Sequence, residues 1–159
     1  GGALLDAGAY TTKLSQILLG RDLRVRAANL HYDQDLGVDI WGGAYLEAAN
    51  GAFSQLAFGF DNQYRRGLEF WGSKGRLTTN RLFTARADCE PEFVIERGNQ
   101  REVKKLPVDD HFVNTLRYFH NMVVSGDGIE LEYQDNVDQA RLLQDVRNLA
   151  IEKLGSAPP

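Results

Sequence analysis

The sequence predicts an α+β domain: a largely antiparallel open sheet of about six or seven strands, with helices packed on one face. Three features carry this. A helical periodicity opens the chain, short alternating stretches separated by turn residues fill residues 23–106, and two more helical periodicities close it. Helix, long antiparallel run, two helices is an order that gathers helices against a sheet.

The first helix follows from apolar residues at Tyr10, Leu14, Ile17 and Leu18, the rhythm of a half-buried helix. Gly20 stands just past the last of them, where a left-handed C-cap needs it. Leu23, Val25 and Ala27 alternate with Arg24 and Arg26, a strand running to about Tyr32. In the second strand Val38, Ile40, Ala44, Leu46 and Ala48 fall on one side, and Asp39, Trp41, Gly43, Tyr45 and Glu47 on the other. Asn50-Gly51 is the strongest short hairpin signal in the chain. A third strand follows with Leu56, Phe58 and Phe60 on one side, then a fourth from Tyr64 to Gly72 and a fifth from Arg76 to Asn80. After a looser segment, Arg81 to Pro91, two strands near 92–97 and 101–106 meet at Gly98-Asn99. Asp109 or Asp110 caps a helix whose buried stripe is Phe112, Val113, Leu116, Phe119 and Val123, ended by Gly126. A last helix from about Asn136 carries Val137, Leu143, Val146, Ala150 and Leu154 and stops at Gly155; residues 156–159 are a tail. Gly43, Ala57, Gly59 and Gly67, set between Trp41, Tyr45 and Trp71, leave one sheet face thinly covered, a face expected to pack on another subunit.

At 159 residues, 43% hydrophobic and 25% charged, the chain is one ordinary soluble-type domain with enough apolar surface for a core. A net charge of −4 argues against nucleic acid or an anionic membrane as partner. No apolar run approaches the ~20 residues of a membrane span. With Cys89 as the only cysteine there is neither an intrachain disulfide nor a thiolate metal cluster, and a cytoplasmic location is expected. Met122 is the only methionine and Gly1-Gly2 opens the chain directly on a motif, so an upstream part of a larger protein is expected.

Several residues invite a chemical reading. Asp6 and Tyr10 are four apart, so in a helix begun by Asp6 a carboxylate and a phenol share one face near the positive end of the dipole. Asp6 orients Tyr10, binds a substrate hydroxyl or caps the helix. From periodicity alone Tyr10 is a core or interface tyrosine. Asp39, Arg65 and Arg66 are candidates to reach sugar hydroxyls or a phosphate, against the plainer reading of solvent-facing strand charges. His31, His111 and His120 lack metal-ligand spacing. Gly126-Asp127-Gly128 is a fragment of a dinucleotide fingerprint, followed by an acidic, strand-like segment. Tyr10-Thr11-Thr12-Lys13 misses by one residue the Tyr-x-x-x-Lys of short-chain dehydrogenases.

The opening, Gly1-Gly2-x-Leu4-Leu5-Asp6-x-Gly8-x-Tyr10, resembles the start of the second domain of the oxidoreductases typified by glucose–fructose oxidoreductase and inositol dehydrogenase, the Gfo/Idh/MocA family. Gly37-Val38-Asp39, Phe58-Gly59-Phe60-Asp61, Trp71-Gly72-Ser73-Lys74-Gly75-Arg76-Leu77 and Asp110-His111-Phe112 extend the resemblance over nearly the whole chain. It implies a C-terminal substrate-binding and oligomerisation domain over 1–155, with the N-terminal Rossmann domain absent. By resemblance Tyr10 takes the place of the family's His/Tyr acid and Asp6 the carboxylate before it; a tyrosine points to the glucose–fructose oxidoreductase, dihydrodiol dehydrogenase and sugar ketoreductase branches. A free phenol titrates near ~10, so action at neutral pH asks about 4 kcal/mol of its surroundings. In the family a lysine of a Glu-Lys-Pro motif in the Rossmann domain supplies it. The resemblance implies NAD or NADP in the full-length protein and none for this chain alone, a carbohydrate-like substrate, and a homodimer or tetramer formed through the sheet face. The alternative is a non-catalytic sugar-binding or dimerisation module.

Overall fold

The structure, a computed structural model, describes residues 1–155, with side chains to Ile151. The tail 156–159 and the side chain of Leu154 lie outside the described residues. The α+β class holds: seven strands pair antiparallel, as a three-stranded sheet and a four-stranded one. The chain forms two compact units, Gly1–Asn62 with the segment from Glu130 onward, and Gln63–Ile129.

In the first unit a single π turn, Leu4–Gly8, runs into α1, Ala9–Leu19, which Gly20 ends by donating its N–H to the Gln16 carbonyl at 2.9 Å. Strands β1 (Leu23–Asp33), β2 (Val38–Ala48) and β3 (Phe53–Gly59) follow in the order β1-β2-β3. The Asn50-Gly51 hairpin forms as predicted: Asn50 Oδ1 accepts the Ala52 N–H at 3.0 Å, and Gly51 takes φ +82°. Asp33 does the same at the β1–β2 turn, accepting from Asp35 and Leu36 at 2.9 and 2.8 Å.

Helix α3, Ile129–Gly155, begins seven residues earlier than the periodicity suggests. The stretch that looks strand-like is its first turn, where Glu130 and Glu132 complement the helix dipole. Leu142, Leu143, Val146 and Ala150 of α3 join Leu4, Leu30, Leu46 and Phe58 in one core, whereas Val137 is exposed.

Helix α1 inverts its expected orientation. Tyr10, Ile17 and Leu18 are exposed, and Thr12, Ser15 and Gln16 face the core. Each buried hydroxyl has a local acceptor, which makes this tolerable. Thr12 donates to the Gly8 carbonyl at 2.8 Å, and Ser15 donates to the Thr11 carbonyl at 2.9 Å while meeting the Ser54 hydroxyl of β3 at 2.9 Å. Small polar side chains let the helix lie close on β3, which a leucine stripe would prevent.

In the second unit β4 (Leu68–Gly72), β5 (Gly75–Thr79), β6 (Glu92–Arg97) and β7 (Gln100–Lys105) form a meander, followed by α2, His111–Ser125. β4 starts four residues later than expected, and Gly67 and Trp71, read as neighbours of Trp41, lie in this unit instead. Asp110 is the N-cap of α2, accepting from the N–H groups of Phe112 and Val113 at 3.0 and 3.1 Å. Gly126 closes it in the left-handed conformation. Its apolar stripe is not buried as expected: Phe112, Leu116, Phe119 and Val123 are each more than 60% exposed. Periodicity shows which residues share a face of α2, not whether anything covers it. Among the described residues no helix is long and apolar enough to cross a membrane.

Gly2 ties the chain's opening to the sheet. Its φ is +101°, and a Cβ there would collide with the Asp39 carboxylate. Gly2→Ala should therefore lower unfolding stability by about 2 kcal/mol, read from a urea midpoint at unchanged slope.

Candidate functional site

The residues that matter gather where the π turn hands over to α1. The Gly8 N–H reaches back to the Ala3 carbonyl at 2.9 Å, an i→i+5 bond. Such one-turn π insertions recur at functional sites. Asp6 sits within the turn and is exposed; Tyr10 is the second residue of α1 and 50% exposed. Residues four or five apart stay on one side of this junction, so phenol and carboxylate share the outward side. Tyr10 is thus not the core residue its periodicity suggests.

The helix start has no cap of its own: Ala3 precedes it without a side-chain bond. The cap comes from β2. Asp39 Oδ2 accepts the Leu4 N–H at 2.6 Å, and the Asp39 carbonyl accepts the Ala3 N–H at 2.7 Å. Asp39 is only 2% exposed. A buried carboxylate at a helix N-terminus, bonded to a backbone N–H, meets the unsatisfied donors and the positive dipole end together. Of the readings open for Asp6, capping therefore falls to Asp39, and Asp6 keeps an outward carboxylate.

Lys13 pairs with Asp135 of α3 at 3.5 Å, and Arg21 pairs with the same carboxylate. Gln139 adds a bond from its amide to the Ala9 carbonyl at 2.9 Å, so α3 braces the turn of α1 that carries Tyr10. Asp39 and Gln139 thus fix the start of α1 from two elements remote in sequence, and Asp135 holds its middle and the residues just past its end. Arg65 and Arg66 lie in the second unit, where with Tyr64, Gly67, Asn80 and Arg81 they line a cavity of about 390 Å³. A second cavity of about 270 Å³ is lined by residues including Arg81, Cys89, Glu90 and Glu92.

Two of the three histidines make ring contacts: His31 stacks on Trp41 with ring centroids 4.7 Å apart, and His111 lies 4.2 Å from the Phe112 ring. Among the described residues no group of three His, Cys, Asp or Glu side chains is placed to hold a metal. Gly126-Asp127-Gly128 joins two helices, not a strand to a helix, and Glu130 and Glu132 already occupy the first turn beyond it. That turn does not fit a dinucleotide's pyrophosphate.

Against known proteins, a family model described as the GFO/IDH/MocA C-terminal domain matches residues 1–78. The dTDP-3,4-didehydro-2,6-dideoxy-alpha-D-glucose 3-reductase of Actinomadura kijaniata is 39% identical over 147 residues, 92% of this chain and 44% of the reductase. The chain belongs to the GFO/IDH/MocA family. A reductase of the same name from Streptomyces violaceoruber is 40% identical over 124 residues, 77% of this chain and 36% of its own length. The crystal structure of KijD10, a 3-ketoreductase from Actinomadura kijaniata in complex with TDP-benzene and NADP, aligns with a TM-score of 0.89 at 39% identity, covering 92% of this chain and 46% of that one. The oxidoreductase yvaA of Bacillus subtilis aligns with a TM-score of 0.73 at 13% identity, a likeness of fold alone. This GFO/IDH/MocA chain spans less than half the length of the curated relatives it matches.

Sequence reasoning missed three things. The bond between Asp39 and Leu4 joins positions 35 apart, which no local spacing reveals. The π turn has no sequence signature beyond its glycines. Arg81, in a segment read as loose, joins Arg65 and Arg66 through a bridge between Arg66 and Arg81.

Proposed function

We propose that this chain is the substrate-binding and oligomerisation domain, residues 1–155, of an NADP-dependent ketoreductase acting on a nucleotide-linked keto sugar. The observation that carries the proposal is Tyr10: an outward-facing phenol on a braced helix start led by a π turn, with Asp6 on the same side. The relatives' names and the KijD10 complex support the reading of substrate and cofactor. In this account Tyr10 gives a proton to the oxygen of the carbonyl being reduced and takes it back in the reverse direction. Asp6 holds the phenol's orientation. Asp39 serves as a positioning residue, and Arg65 and Arg66 bind the substrate. The hydride is the cofactor's, and the cofactor is held by residues outside this chain, with a lysine of the Rossmann domain completing the site at the same oxygen. A single cysteine fits the cytoplasm as its compartment.

The open face of the three-stranded sheet favours self-association as a second role. The register sets Asn29, Gly43 and Ala57 in one low row, between the ridge of His31 and Trp41 and the ridge of Tyr45 and Phe53. Flat small-residue rows between aromatics suit a second copy of the same face.

One experiment separates the roles. Full-length protein should consume NADPH in the presence of a dTDP-linked 3-keto sugar, while the isolated chain consumes none. A full-length protein that sediments as a dimer and leaves both NADPH and sugar unchanged would leave only the association module.

A further inference from the structure

We infer that the cleft formed by Tyr64, Arg65, Arg66 and Arg81 binds the diphosphate of a nucleoside diphosphate, as carried by a sugar nucleotide. The diphosphate assignment stands on the cleft itself; the nucleotide sugar rests on the function proposed above.

The argument starts from charge. Three arginines line one cavity of about 390 Å³, and its other lining residues, Tyr64, Gly67 and Asn80, are neutral. That volume lies within the ~300–1,000 Å³ of small-molecule sites. The backbone puts the arginines side by side: Arg66 and Arg81 are bridge partners, and the Leu82 N–H donates to the Arg66 carbonyl at 3.1 Å. Like charges placed opposite one another repel, and among the described residues no carboxylate forms an ion pair with Arg65, Arg66 or Arg81. Arg66 Nη1 donates only to neutral oxygens, the Phe83 carbonyl at 3.2 Å and the Thr84 carbonyl and hydroxyl at 2.8 Å each. Among the described residues the one hydrogen-bond partner of the Arg81 guanidinium is the Cys89 sulfur, at 3.8 Å. Arg65 makes no ion pair or hydrogen bond among the described residues. The chain has 22 acidic residues and a net charge of −4, so unanswered arginines are not a consequence of scarce acids. Arg76, by contrast, lies between two carboxylates: the hydrogen bond and charge of Glu96, with the charge of Glu69, raise its pKa above the ordinary arginine value.

Geometry adds to charge. Arg66 is held rather than loose: its guanidinium lies 5.0 Å from the centre of the Tyr64 ring, and its bonds clamp Thr84, which takes φ +48°. Backbone strain of that kind is retained where the surroundings over-determine it, commonly at ligand sites. Adjacent guanidinium forks, with Arg66 held in place among them, suit a pair of linked phosphates better than a single anion. Tyr64 is 71% exposed, leaving an aromatic surface beside the arginines on which a base can stack. The neighbouring cavity lacks this character, since Glu90 and Glu92 line it.

The test is calorimetric titration of the full chain with inorganic pyrophosphate, then competition by dTDP and by NADP⁺. Pyrophosphate should bind in low salt, weaken as salt rises, and be displaced by dTDP. Arg65→Ala and Arg81→Ala should each weaken pyrophosphate about tenfold or more, the loss of one charge-assisted contact. Arg65 has no structural partner to lose, so an unchanged melting temperature in Arg65→Ala separates binding from folding. No pyrophosphate binding, or equal binding by wild type and both variants, would overturn the diphosphate site. Displacement by NADP⁺ but not by dTDP would overturn its assignment to a sugar nucleotide. Tyr10→Phe should leave pyrophosphate binding unchanged, so failure of the catalytic reading and failure of the cleft are told apart.

Discussion

Tyr10→Phe in the full-length protein should lower kcat by about 10²–10⁴-fold, the range general acid–base catalysis supplies, with little change in folding. The phenol hydroxyl is the only group the substitution removes, and the ring stays to fill its place. Tyr10 is half exposed, so the change is made at the surface and not in a dry core. The expected stability cost is within about 1 kcal/mol, read from a denaturant midpoint beside the turnover measurement. Asp6→Asn should give a smaller loss, since it alters the phenol's neighbour and not the proton donor. A Tyr10→Phe enzyme that unfolds would point to a structural tyrosine instead.

Asp39→Ala should cost about 2–3 kcal/mol of unfolding free energy, the worth of a buried hydrogen bond to a charged group together with the lost cap. Asp39 is 2% exposed and its carboxylate holds the Leu4 N–H at 2.6 Å, and Leu4 is itself fully buried. Without that acceptor the π turn keeps only the backbone bond from Ala3 to the Asp39 carbonyl as its tie to β2, and Tyr10, which the turn positions, is held less firmly. Asp39→Asn keeps an oxygen acceptor and should lose about half as much. Thermal unfolding of the three proteins gives the order directly. If Asp39 acts through the helix and not on substrate, kcat should fall in Asp39→Ala with KM nearly unchanged, and Asp39→Asn should recover most of it.

The strands were the most legible part of the molecule. Alternation and the turn signals at Asn50-Gly51 and Gly98-Asn99 are local, and local patterns survive without knowledge of the tertiary structure. The helix faces were less legible, for a reason visible in α1. Its apolar residues Tyr10, Ile17 and Leu18 look outward, while Thr12 and Ser15 pack inward because each hydroxyl finds an acceptor on the preceding turn of its own helix. Hydrophobic periodicity assumes that burial is apolar, and a close helix–sheet contact broke that assumption. In α2 the stripe is real but uncovered. Of the candidate site, the resemblance led to Tyr10 and Asp6, which the helix start does bring to one side. The capping by Asp39 and the meeting of Arg66 with Arg81 are pairings between segments remote in sequence, made by the tertiary fold and not by spacing in the chain.

The central claim is that Tyr10 moves the proton in the reduction of a keto sugar. Single-turnover NADPH oxidation by the full-length protein, with wild type and Tyr10→Phe each pre-saturated with a dTDP-linked 3-keto sugar, tests it most directly. The account predicts a rate at least about 100-fold slower in the variant at an unchanged dissociation constant for the sugar. Equal rates for the two proteins would contradict it.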